Sequence, residues 1–334
     1  MKVLITGAGG FLGKRIADSI LRMGVQELRL HFRQKPPQGM IEGLHQQFPG
    51  ALIEVAQANL LARDSLQALV ADTDCIVHAA AGMRGAAADM FANTVVATRN
   101  LLDAATAQKI PRIVLISSFS VYHAETLAPG AMLDETTPIE SVGVERGAYG
   151  YAKTRQEHLF LGYQKRFGFE SVILRPGVIY GPGGGAMSTR VGINALGFFF
   201  SLGGRALLPL TYVDNCADAV AQAALKAHAG SAFNVVDDDL PTCNQYLKDY
   251  RQRVQKLRCI PVPHWAFMWG SKILVNYHRK SKGQLPAVFT PYVVNSMYRP
   301  LRYTNAALRA IGWQQRVSTA AGLTTTFQYL RGKP

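Results

Sequence analysis

The chain has 334 residues, 48% of them apolar, so it is long enough to bury a substantial core as one large domain or two small ones. Its 36 lysines and arginines against 22 acidic residues give a formal net charge of +14, which suits a phosphorylated substrate, an anionic membrane surface or nucleic acid. The basic residues form no long block with interleaved aromatics, so nucleic acid is the weakest of these partners and we expect none.

Cysteine spacing and hydropathy set the expected compartment. The four cysteines, Cys75, Cys216, Cys243 and Cys259, lie far apart without a CxxC pair, so we expect small buried residues rather than a metal site or a disulfide framework. The first residues lack the apolar core of a signal peptide, and we expect a cytoplasmic protein. No apolar run reaches the roughly 20 residues of a membrane span. We expect "ALGFFFSLGG" and "WAFMWGSKILV" to be buried segments, with peripheral membrane contact as the alternative.

The first half of the chain alternates predicted strands and helices. "KVLITGA" is a short apolar run ending in glycines, and apolar residues repeat at helical spacing in "FLGKRIADSILRMG". The pattern recurs through "ELRLHF", "ALIEVA", a helix over 62–70, "DCIVHAA", a helix over 88–107, "RIVLISS", a helix over 148–166 and "SVILRP". This alternation is typical of βαβ units, so we predict the α/β class with a doubly wound parallel sheet covered on both faces.

The regular alternation stops after Arg175. "GVIYGPGGGAMSTRVG" is rich in glycine and proline, "SAFNVVD" predicts one more strand, and residues 240–334 show amphipathic pieces without βα repetition. We therefore predict a first domain made of 1–175 plus about 212–236. A smaller mixed C-terminal lobe would be made of about 176–211 and 237–334.

Gly7, Gly10 and Gly13 lie between the first predicted strand and the first predicted helix. Residues without side chains let the backbone approach a pyrophosphate there, and the helix N-terminus supplies N–H donors and positive potential. The strand, the helix and the position at the start of the chain agree with one another. We therefore predict that the first domain binds a dinucleotide.

The end of the second predicted strand bears on which dinucleotide is bound. An acid about 20 residues beyond the glycine turn binds a free 2′-hydroxyl of the ribose, whereas an arginine accommodates a 2′-phosphate. "LRLHFRQK" offers no acid, and Arg33 could pair with a phosphate, helped by Lys35 or Lys14. The alternative is that Arg33 is a solvated charge. We expect NADP or NAD, with NADP favoured.

Tyr149, Lys153 and Glu157 stand at four-residue intervals in "GAYGYAKTRQEHL", so on a helix they share one face. A tyrosine serves as an acid or base near neutral pH when a cation such as Lys153 favours its phenolate. "RIVLISSFSVYH" places Ser117 and Ser118 at the carboxyl edge of the predicted sheet, where open α/β folds bind ligands. A serine hydroxyl there can hydrogen-bond a reacting oxygen.

Together these motifs resemble the short-chain dehydrogenase/reductase family, and more closely its extended branch, over nearly the whole chain. "TGAGGFLG" is similar to the branch's TGxxGFxG turn, and "DCIVHAAA" to the strand whose small residues border the cofactor. "FANTVVATRNLL" resembles a helix that the family opens with an asparagine, here Asn93. The family's serine segment resembles "SSFSVY", and its Tyr-xxx-Lys resembles "YGYAK". Its late (Y/H)VDD element resembles "LTYVDNCADAV", and its C-terminal ending resembles "LRYTNAALRAIGW" followed by "VSTAAGL". The resemblance implies a Rossmann-type fold and a C-terminal lobe that binds the substrate. It also implies a homodimer paired through helices 88–107 and 148–166.

The resemblance also implies roles for single residues. Ser118, Tyr149 and Lys153 would form the catalytic triad, with Tyr149 as acid or base. Lys153 would lower the pKa of Tyr149 and hold the nicotinamide ribose. The cofactor-binding residues that the family pattern implies are Gly7, Gly10, Phe11, Leu12, Gly13, Arg33, Asn59, Leu60, Ala79, Ala80, Lys153 and Pro176, and no metal is expected.

Other charged residues are predicted to be structural. Glu157 is not a catalytic residue of the family, and we expect a surface or dimer-contact charge paired with Lys153 or Arg155. Asp214 and Asn215 in "YVDN" are expected to stabilise a loop between the lobes. The basic "YHRKSKG" cluster near residue 280 is expected to be solvated.

Departures from the family pattern narrow the reaction. Dehydratases and decarboxylating members carry an acid just before the Val-Tyr of the serine segment, where this chain has Phe119 and Ser120, so both reactions are disfavoured. Val178 stands where nucleotide-sugar members show an asparagine. The resemblance therefore implies an NAD(P)-dependent oxidoreductase that acts on a small-molecule substrate and transfers hydride between nicotinamide and a secondary alcohol or ketone. The alternatives are a nucleotide-sugar epimerase with tightly bound NAD and a non-catalytic dinucleotide sensor or assembly subunit.

Overall fold

A seven-stranded parallel sheet is the centre of the computed structural model, which describes residues 1–185, 187–280 and 289–332. The strands are β1 (Lys2–Thr6), β2 (Glu27–Phe32), β3 (Leu52–Gln57), β4 (Cys75–His78), β5 (Arg112–Ile116), β6 (Met132–Leu133), β7 (Glu170–Pro176), β8 (Val178–Tyr180), β9 (Gly192–Ala195), β10 (Phe198–Ser201), β11 (Leu210–Tyr212), β12 (Ser231–Val235), β13 (Cys259–Pro261) and β14 (Arg302–Tyr303). The large sheet has the order β12-β7-β5-β4-β1-β2-β3. From β1 the chain adds β2 and β3 on one side, and then returns to add β4 and later strands on the other side. Open α/β sheets bind ligands outside such a switch point, which here lies between β1 and β4.

Helices connect these strands. They are α1 (Gly13–Arg22), α2 (Met40–Gln47), α3 (Leu66–Val70), α4 (Ala87–Phe91), α5 (Ala97–Ala107), α6 (Gly147–Phe167), α7 (Val213–Lys226), α8 (Cys243–Arg253), α9 (His264–Lys280), α10 (Pro291–Tyr298), α11 (Ala306–Ala310) and α12 (Thr319–Arg331). Short 3₁₀ turns lie at Arg63–Ser65, Phe119–Val121, Ala124–Thr126 and Val144–Arg146.

The sheet is covered on both faces, as the nearly continuous apolar runs of its central strands predict. Val3 and Ile5 of β1 pack into a core with α1 and α7, whereas Leu4 between them packs into a second core with α3, α5 and α6. Successive strand side chains point to opposite faces, so a strand that is buried on both sides needs apolar residues at every position. The predicted doubly wound α/β fold is confirmed.

The long predicted helices are also present. The helix predicted over 148–166 is α6, and the one over 62–70 is the 3₁₀ turn Arg63–Ser65 followed by α3. The helix predicted over 88–107 consists of α4, a π-helical turn at Ala92–Val96 and α5. A π turn adds one residue to the helical repeat and is frequent at functional sites.

The part of the chain after β7 builds a second, smaller core. Tyr180 of β8, Tyr212 of β11, Tyr246 of α8 and Phe327 of α12 pack together in it. β12 returns to the large sheet beside β7, and the region around Trp313 packs into the core that contains α1 and α7. The predicted division of the chain into two lobes stays a prediction.

Two apolar segments are more exposed than the sequence predicts. "ALGFFFSLGG" forms a hairpin of β9 and β10 in which Phe199 is buried but Leu196 at the turn is 90% exposed. "WAFMWGSKILV" lies in α9, where Trp265 and Trp269 are largely exposed. The prediction of a buried segment is wrong for "WAFMWGSKILV", because α9 uses one face for packing and leaves the other to solvent. In "ALGFFFSLGG" only the turn at 196–198 is exposed, and the rest of the segment is buried or half-buried. Within the described ranges, no helix is long and apolar enough to cross a membrane.

Candidate active site

The turn between β1 and α1 brings backbone atoms unusually close together. Gly7 has a φ of 70°, in the left-handed region that disfavours side chains. A Cβ at Gly13 would lie 2.2 Å from the carbonyl oxygen of Gly7, so only glycine fits at that position. The N–H of Gly10 donates to the same carbonyl at 2.9 Å. The three glycines therefore form one tight loop at the carboxyl end of β1.

The N-terminus of α1 fits the pyrophosphate of a dinucleotide. The residue before the helix, Leu12, makes no side-chain capping hydrogen bond, and the first turn of α1 holds no acidic residue. The positive end of the helix dipole is thus left for an anion. Gly184 packs against the ring of Phe11 beside this loop. Gly7, Gly10, Phe11, Leu12 and Gly13 would hold the phosphates there.

Arg33 lies at the same edge of the sheet, just beyond β2. It is exposed, and its Nη1 donates to Oδ1 of Asn93 at 3.4 Å. Asn93 stands on the π turn and donates from Nδ2 to the carbonyl of Asp89 at 2.8 Å. No acid of the described residues pairs with Arg33, so its guanidinium is free to bind a phosphate.

The other predicted cofactor positions follow neighbouring strands at this edge. Ala79 and Ala80 come directly after β4 and are half-buried, and a Cβ at Gly7 would lie 3.0 Å from the Cα of Ala80. Asn59 and Leu60 follow β3, with Asn59 exposed and Leu60 buried, and Pro176 ends β7. Carboxyl ends of parallel strands share one edge of a sheet, so all these residues lie along the side where α1 begins.

Ser118 and Tyr149 meet beyond the carboxyl end of β5. The backbone of Ser118 is extended, and its Oγ accepts a hydrogen bond from the N–H of Ser120 at 3.1 Å. The phenol of Tyr149 lies near the same serine side chain. Burial raises the pKa of Tyr149, and its interaction with Ser118 only partly opposes this shift. The net direction is opposite to the predicted lowering by Lys153.

Lys153 lies one helical turn beyond Tyr149 and is buried. Its Nζ donates to the carbonyl of Ile116 at 2.8 Å and to Oε1 of Gln156 at 2.9 Å. Burial lowers the pKa of Lys153 to about 8, although the charge of Glu157 acts in the opposite direction. The lysine is thus held at the end of β5 by two acceptors.

A buried polar network that the sequence analysis missed supports this lysine. Gln156 donates from Nε2 to Oγ1 of Thr98 at 2.8 Å, and Thr98 donates to the carbonyl of Thr94 at 2.5 Å. Thr98 has no second hydrogen to give, so Nε2 of His78, 2.8 Å away, carries the proton and donates to it. Nδ1 of His78 then accepts from Oγ1 of Thr6 at 2.7 Å. This series of side-chain hydrogen bonds therefore links Lys153 to β1, the strand that precedes the glycine turn.

Glu157 is not a surface charge, and the prediction of its role is wrong. It is fully buried, and its Oε1 accepts from Nε of Arg175 at 3.1 Å and also from Nη2 of the same residue. Ser117 donates to Oε2 of Glu157. Arg175 also donates from Nη1 to the hydroxyl of Tyr122 at 3.0 Å. The carboxylate is buried because a guanidinium from β7 and a serine from β5 satisfy it.

Beyond Tyr149, a basic patch faces the second core. Arg146 stands at the start of α6, where Nη2 donates to the carbonyl of Tyr122 and the guanidinium carbon lies 5.7 Å from the ring centre of Tyr292. Burial lowers the pKa of Arg146 to about 10, and the charge of Arg190 contributes to this lowering. Nε of Arg146 also lies 3.6 Å from Oε1 of the buried Glu140, so this guanidinium already has an acidic partner. No described residue hydrogen-bonds the buried hydroxyl of Tyr292, which can therefore contact a hydrogen-bonding group of a substrate.

His123 lies at the border of this patch. Its ring centre is 6.5 Å from that of Tyr292, and its side chain is half-buried. Of the "YHRKSKG" cluster, residues 281–283 lie outside the described residues.

The fold and the geometry of this edge define a dinucleotide-binding enzyme of the extended short-chain dehydrogenase/reductase class. The model of the NAD dependent epimerase/dehydratase family matches residues 3–236. The chain belongs to that family, as the sequence motifs predict.

Curated relatives include both reductases and epimerases. Short-chain dehydrogenase/reductase family 42E member 1 of Xenopus laevis is 30% identical over 228 residues, which are 64% of this chain and 55% of the relative. The 2-alkyl-3-oxoalkanoate reductase of Stenotrophomonas maltophilia is 29% identical over 229 residues, which are 65% of this chain and 63% of that enzyme. The matches thus span little more than half of these relatives.

Solved structures share the fold over the whole chain. The UDP-glucuronic acid 4-epimerase of Bacillus cereus, in complex with NAD, superposes with a TM-score of 0.71 at 20% identity and covers 99% of both chains. The UDP-glucose 4-epimerase of Thermus thermophilus, also with NAD, gives a TM-score of 0.70 at 18% identity and covers 100% of both chains. At these identities the similarity shows the Rossmann-type fold alone.

Proposed function

We propose that this enzyme is an NAD(P)-dependent reductase that interconverts a ketone and a secondary alcohol. The observation that carries the proposal is the proximity of Ser118 and Tyr149 at the sheet edge where the glycine turn lies, with Lys153 one helical turn away. The bound nicotinamide would supply or accept the hydride. Ser118 would donate a hydrogen bond to the carbonyl oxygen of the substrate, and Tyr149 would deliver a proton to it.

The electrostatics of Tyr149 favour the reducing direction. Since burial raises the pKa of Tyr149, the phenol keeps its proton at neutral pH and can act as an acid toward an oxygen that becomes an alkoxide. Lys153, held by Ile116 and Gln156, would bind the ribose next to the nicotinamide and stabilise the phenolate that remains after proton transfer. In this proposal Lys153 stabilises the charge of Tyr149 during the reaction and does not lower the pKa of the resting phenol.

The chemistry of the substrate pocket supports a ketone that also carries an anionic group. Arg190 pairs with no acid of the described residues and places positive charge on the substrate side of Tyr149, whereas Arg146 lies 3.6 Å from the carboxylate of Glu140. The buried hydroxyl of Tyr292 has a hydrogen bond to give. A relative, the 2-alkyl-3-oxoalkanoate reductase, has a name that specifies a ketone and a carboxylate in one molecule. We take 3-oxo acids with apolar chains as the substrate class to test first.

The test is NAD(P)H oxidation with a panel of 2-alkyl-3-oxoalkanoates by the wild type and by Tyr149→Phe. Removing a positioned acid should lower kcat at least about 100-fold. Tyr151→Phe is the matched control, because Tyr151 lies on the same helix and only stacks on Phe91, with ring centres 5.8 Å apart. Nucleotide binding, followed by fluorescence, should be unchanged in both variants. A Tyr149→Phe enzyme with full turnover would overturn the proposal.

We further propose that NADP is the preferred cofactor. The exposed guanidinium of Arg33 beyond β2, with no acid in its place, supports binding of a 2′-phosphate. Arg33→Ala should weaken NADPH binding by about tenfold or more and leave NADH binding nearly unchanged. Arg331→Ala, which removes a charge from the exposed end of α12, should change neither. Equal loss for both nucleotides would contradict this assignment.

The second candidate is a nucleotide-sugar epimerase. It is supported by the epimerases among the proteins of similar fold and by a relative named as an uncharacterised UDP-glucose epimerase, which is 29% identical over 194 residues. NAD that stays bound through purification, together with epimerisation of a nucleotide sugar, would favour this candidate over the reductase.

A further inference from the structure

The net charge of the protein comes entirely from its C-terminal quarter. Residues 1–249 contain 22 basic and 22 acidic residues, whereas residues 250–334 contain 14 basic residues and no aspartate or glutamate. An acid-free stretch of this length concentrates positive potential on whatever surface it forms.

The helix α9 shows its largest apolar side chains to solvent. Trp265, Trp269, Ile273 and Tyr277 are 74%, 67%, 48% and 55% exposed. They recur every four residues, so they form one stripe along the helix. Monomeric soluble proteins rarely expose a contiguous apolar stripe of this kind unless it contacts a partner or a membrane.

The opposite side of α9 fixes the helix to the rest of the molecule. The ring of Phe267 packs edge-on against Phe289 and against Tyr298 of α10, with ring centres 5.3 Å and 5.1 Å apart. Ser271 is buried and donates to the carbonyl of Met268 at 2.8 Å. The helix is therefore held by a packed inner face, and its aromatic stripe faces outward as a result of that packing.

Neighbouring elements add apolar and basic groups to the region. Leu196 and Phe198 of the β9–β10 hairpin are 90% and 40% exposed, and Ile260 of β13, the strand that leads into α9, is 38% exposed. The exposed cations in and just before α9 pair with no acid of the described residues; they are Lys256, Arg258, Lys272 and Lys280.

We propose that the aromatic stripe of α9 docks the protein on the surface of an anionic lipid bilayer. Tryptophan and tyrosine favour the interface between headgroups and acyl chains, because one end of each ring system is apolar and the other is polar. Lysines beside them are attracted to anionic headgroups and can keep their ammonium groups in water while their stems lie along the apolar boundary.

Charge complementarity favours a membrane over a second copy of the chain. A two-fold symmetric contact through α9 would place the same acid-free surface against itself, so its cations would repel one another. An anionic bilayer supplies the missing negative charge and the apolar layer together.

Docking through α9 would also place the membrane close to the substrate pocket. α10, on which α9 packs, carries Tyr292 next to Arg146. An apolar substrate dissolved in the bilayer would then enter the enzyme one helix away from the reacting edge. The docking itself does not depend on the proposed reaction.

The test is flotation of the full-length protein with vesicles of phosphatidylcholine alone and of phosphatidylcholine mixed with phosphatidylglycerol. We expect binding to the anionic vesicles that weakens with salt, and little binding to the neutral ones. The emission of Trp265 and Trp269 should shift to the blue on binding, whereas Trp313, the third tryptophan of the chain, is already buried. A wild type that ignores anionic vesicles would overturn the proposal.

Two pairs of variants separate the apolar and charged contributions. Trp265→Ser with Trp269→Ser should lower partitioning at least about tenfold, while Leu52→Ser, at an equally exposed leucine of the edge strand β3, should not. Lys272→Glu should weaken binding, whereas Lys165→Glu on α6 should have little effect. Nucleotide binding confirms that each variant is folded. Unchanged partitioning of the double tryptophan variant, or a dimer in solution that this variant dissociates, would contradict membrane docking.

Discussion

At the scale of single residues, His78 is a buried neutral histidine whose protonation should oppose folding. Burial lowers its pKa from 6.5 to about 3, with a smaller contribution from the charge of Lys153. Both ring nitrogens already have hydrogen-bond partners in the neutral form, namely Thr6 and Thr98. A proton added to this ring would bring a charge into the core without a counter-charge.

The pH dependence of stability follows from this shift. As pH falls below about 6.5 the unfolded chain binds a proton at His78 that the folded protein does not, so the free energy of unfolding decreases down to about pH 3. Between about pH 7 and pH 5 the loss should be about 2 kcal/mol. Urea unfolding at both pH values measures it. His78→Gln should lose this part of the pH dependence, and His45→Gln, at an exposed position of α2, should keep it. Equal slopes for the wild type and His78→Gln would contradict the prediction.

Glu157 illustrates which residue properties the sequence can predict. Its spacing from Tyr149 and Lys153 correctly predicts a shared helix and a shared face, because that depends only on the helical repeat. Whether the carboxylate is buried depends on Arg175 and Ser117, which reach it from two strands of the sheet. Helical spacing carries no information about those neighbours. The residues of the His78 network were missed for the same reason.

At the scale of elements, the junction of the glycine turn with α1 should tolerate no side chain at Gly13. A Cβ there would lie 2.2 Å from the oxygen of Gly7, which is a backbone atom that cannot rotate away. Gly13→Ala should therefore displace α1 from the turn. We expect loss of nucleotide binding by at least about tenfold and destabilisation of about 1–3 kcal/mol.

The matched control is Gly162→Ala in α6. Gly162 is exposed, and a Cβ there would meet no atom within 4 Å. Since alanine favours a helix over glycine, this variant should be more stable by about 0.5–1 kcal/mol and bind nucleotide normally. Thermal unfolding and nucleotide titration of the two variants give both comparisons. Normal nucleotide affinity in Gly13→Ala would show that the turn can relax.

Helices and strands could be predicted where the apolar pattern is strong and extends over many residues. The central strands of the large sheet are such cases, because burial between two layers dictates their residues. The π turn at Ala92–Val96 was not, since one extra residue in a helix leaves the apolar pattern on either side nearly intact. That turn carries Asn93, which contacts Arg33, so the missed feature lies in the candidate cofactor site.

At the scale of the whole molecule, the sequence contains the charge asymmetry but not the surface it forms. The acid-free stretch from residue 250 onward can be counted directly, whereas the net charge of +14 alone suggests cations spread over the molecule. Some of these cations form ion pairs with acids earlier in the chain, as Arg309 does with Asp238 and Arg316 does with Asp218. Only the packing of α9 decides that its tryptophans face solvent.

The end of the chain is joined to the sheet layer by Asn215 of α7, as predicted for a structural residue. Its Nδ2 donates to the carbonyl of Val317 at 2.8 Å and to Oδ1 of Asp237 at 3.0 Å, and its Oδ1 accepts from the N–H of Val317 at 2.9 Å. Asn215 is fully buried, so these hydrogen bonds are shielded from water. One side chain therefore connects α7, the end of β12 and the segment before α12.

Removing this connection should weaken the protein as a whole. Asn215→Ala leaves the N–H of Val317 and Oδ1 of Asp237 without a partner, whereas the carbonyl of Val317 still accepts from Nε2 of Gln315 at 2.8 Å. Each buried unsatisfied group costs about 1–3 kcal/mol, so we expect a loss of about 2 kcal/mol or more. If the lobes unfold together, far-UV and near-UV circular dichroism will report the same lowered midpoint. Asn244→Ala, at an exposed asparagine of α8, should leave the midpoint unchanged. Two separated transitions in Asn215→Ala would instead mean that the C-terminal lobe can unfold while the sheet stays folded.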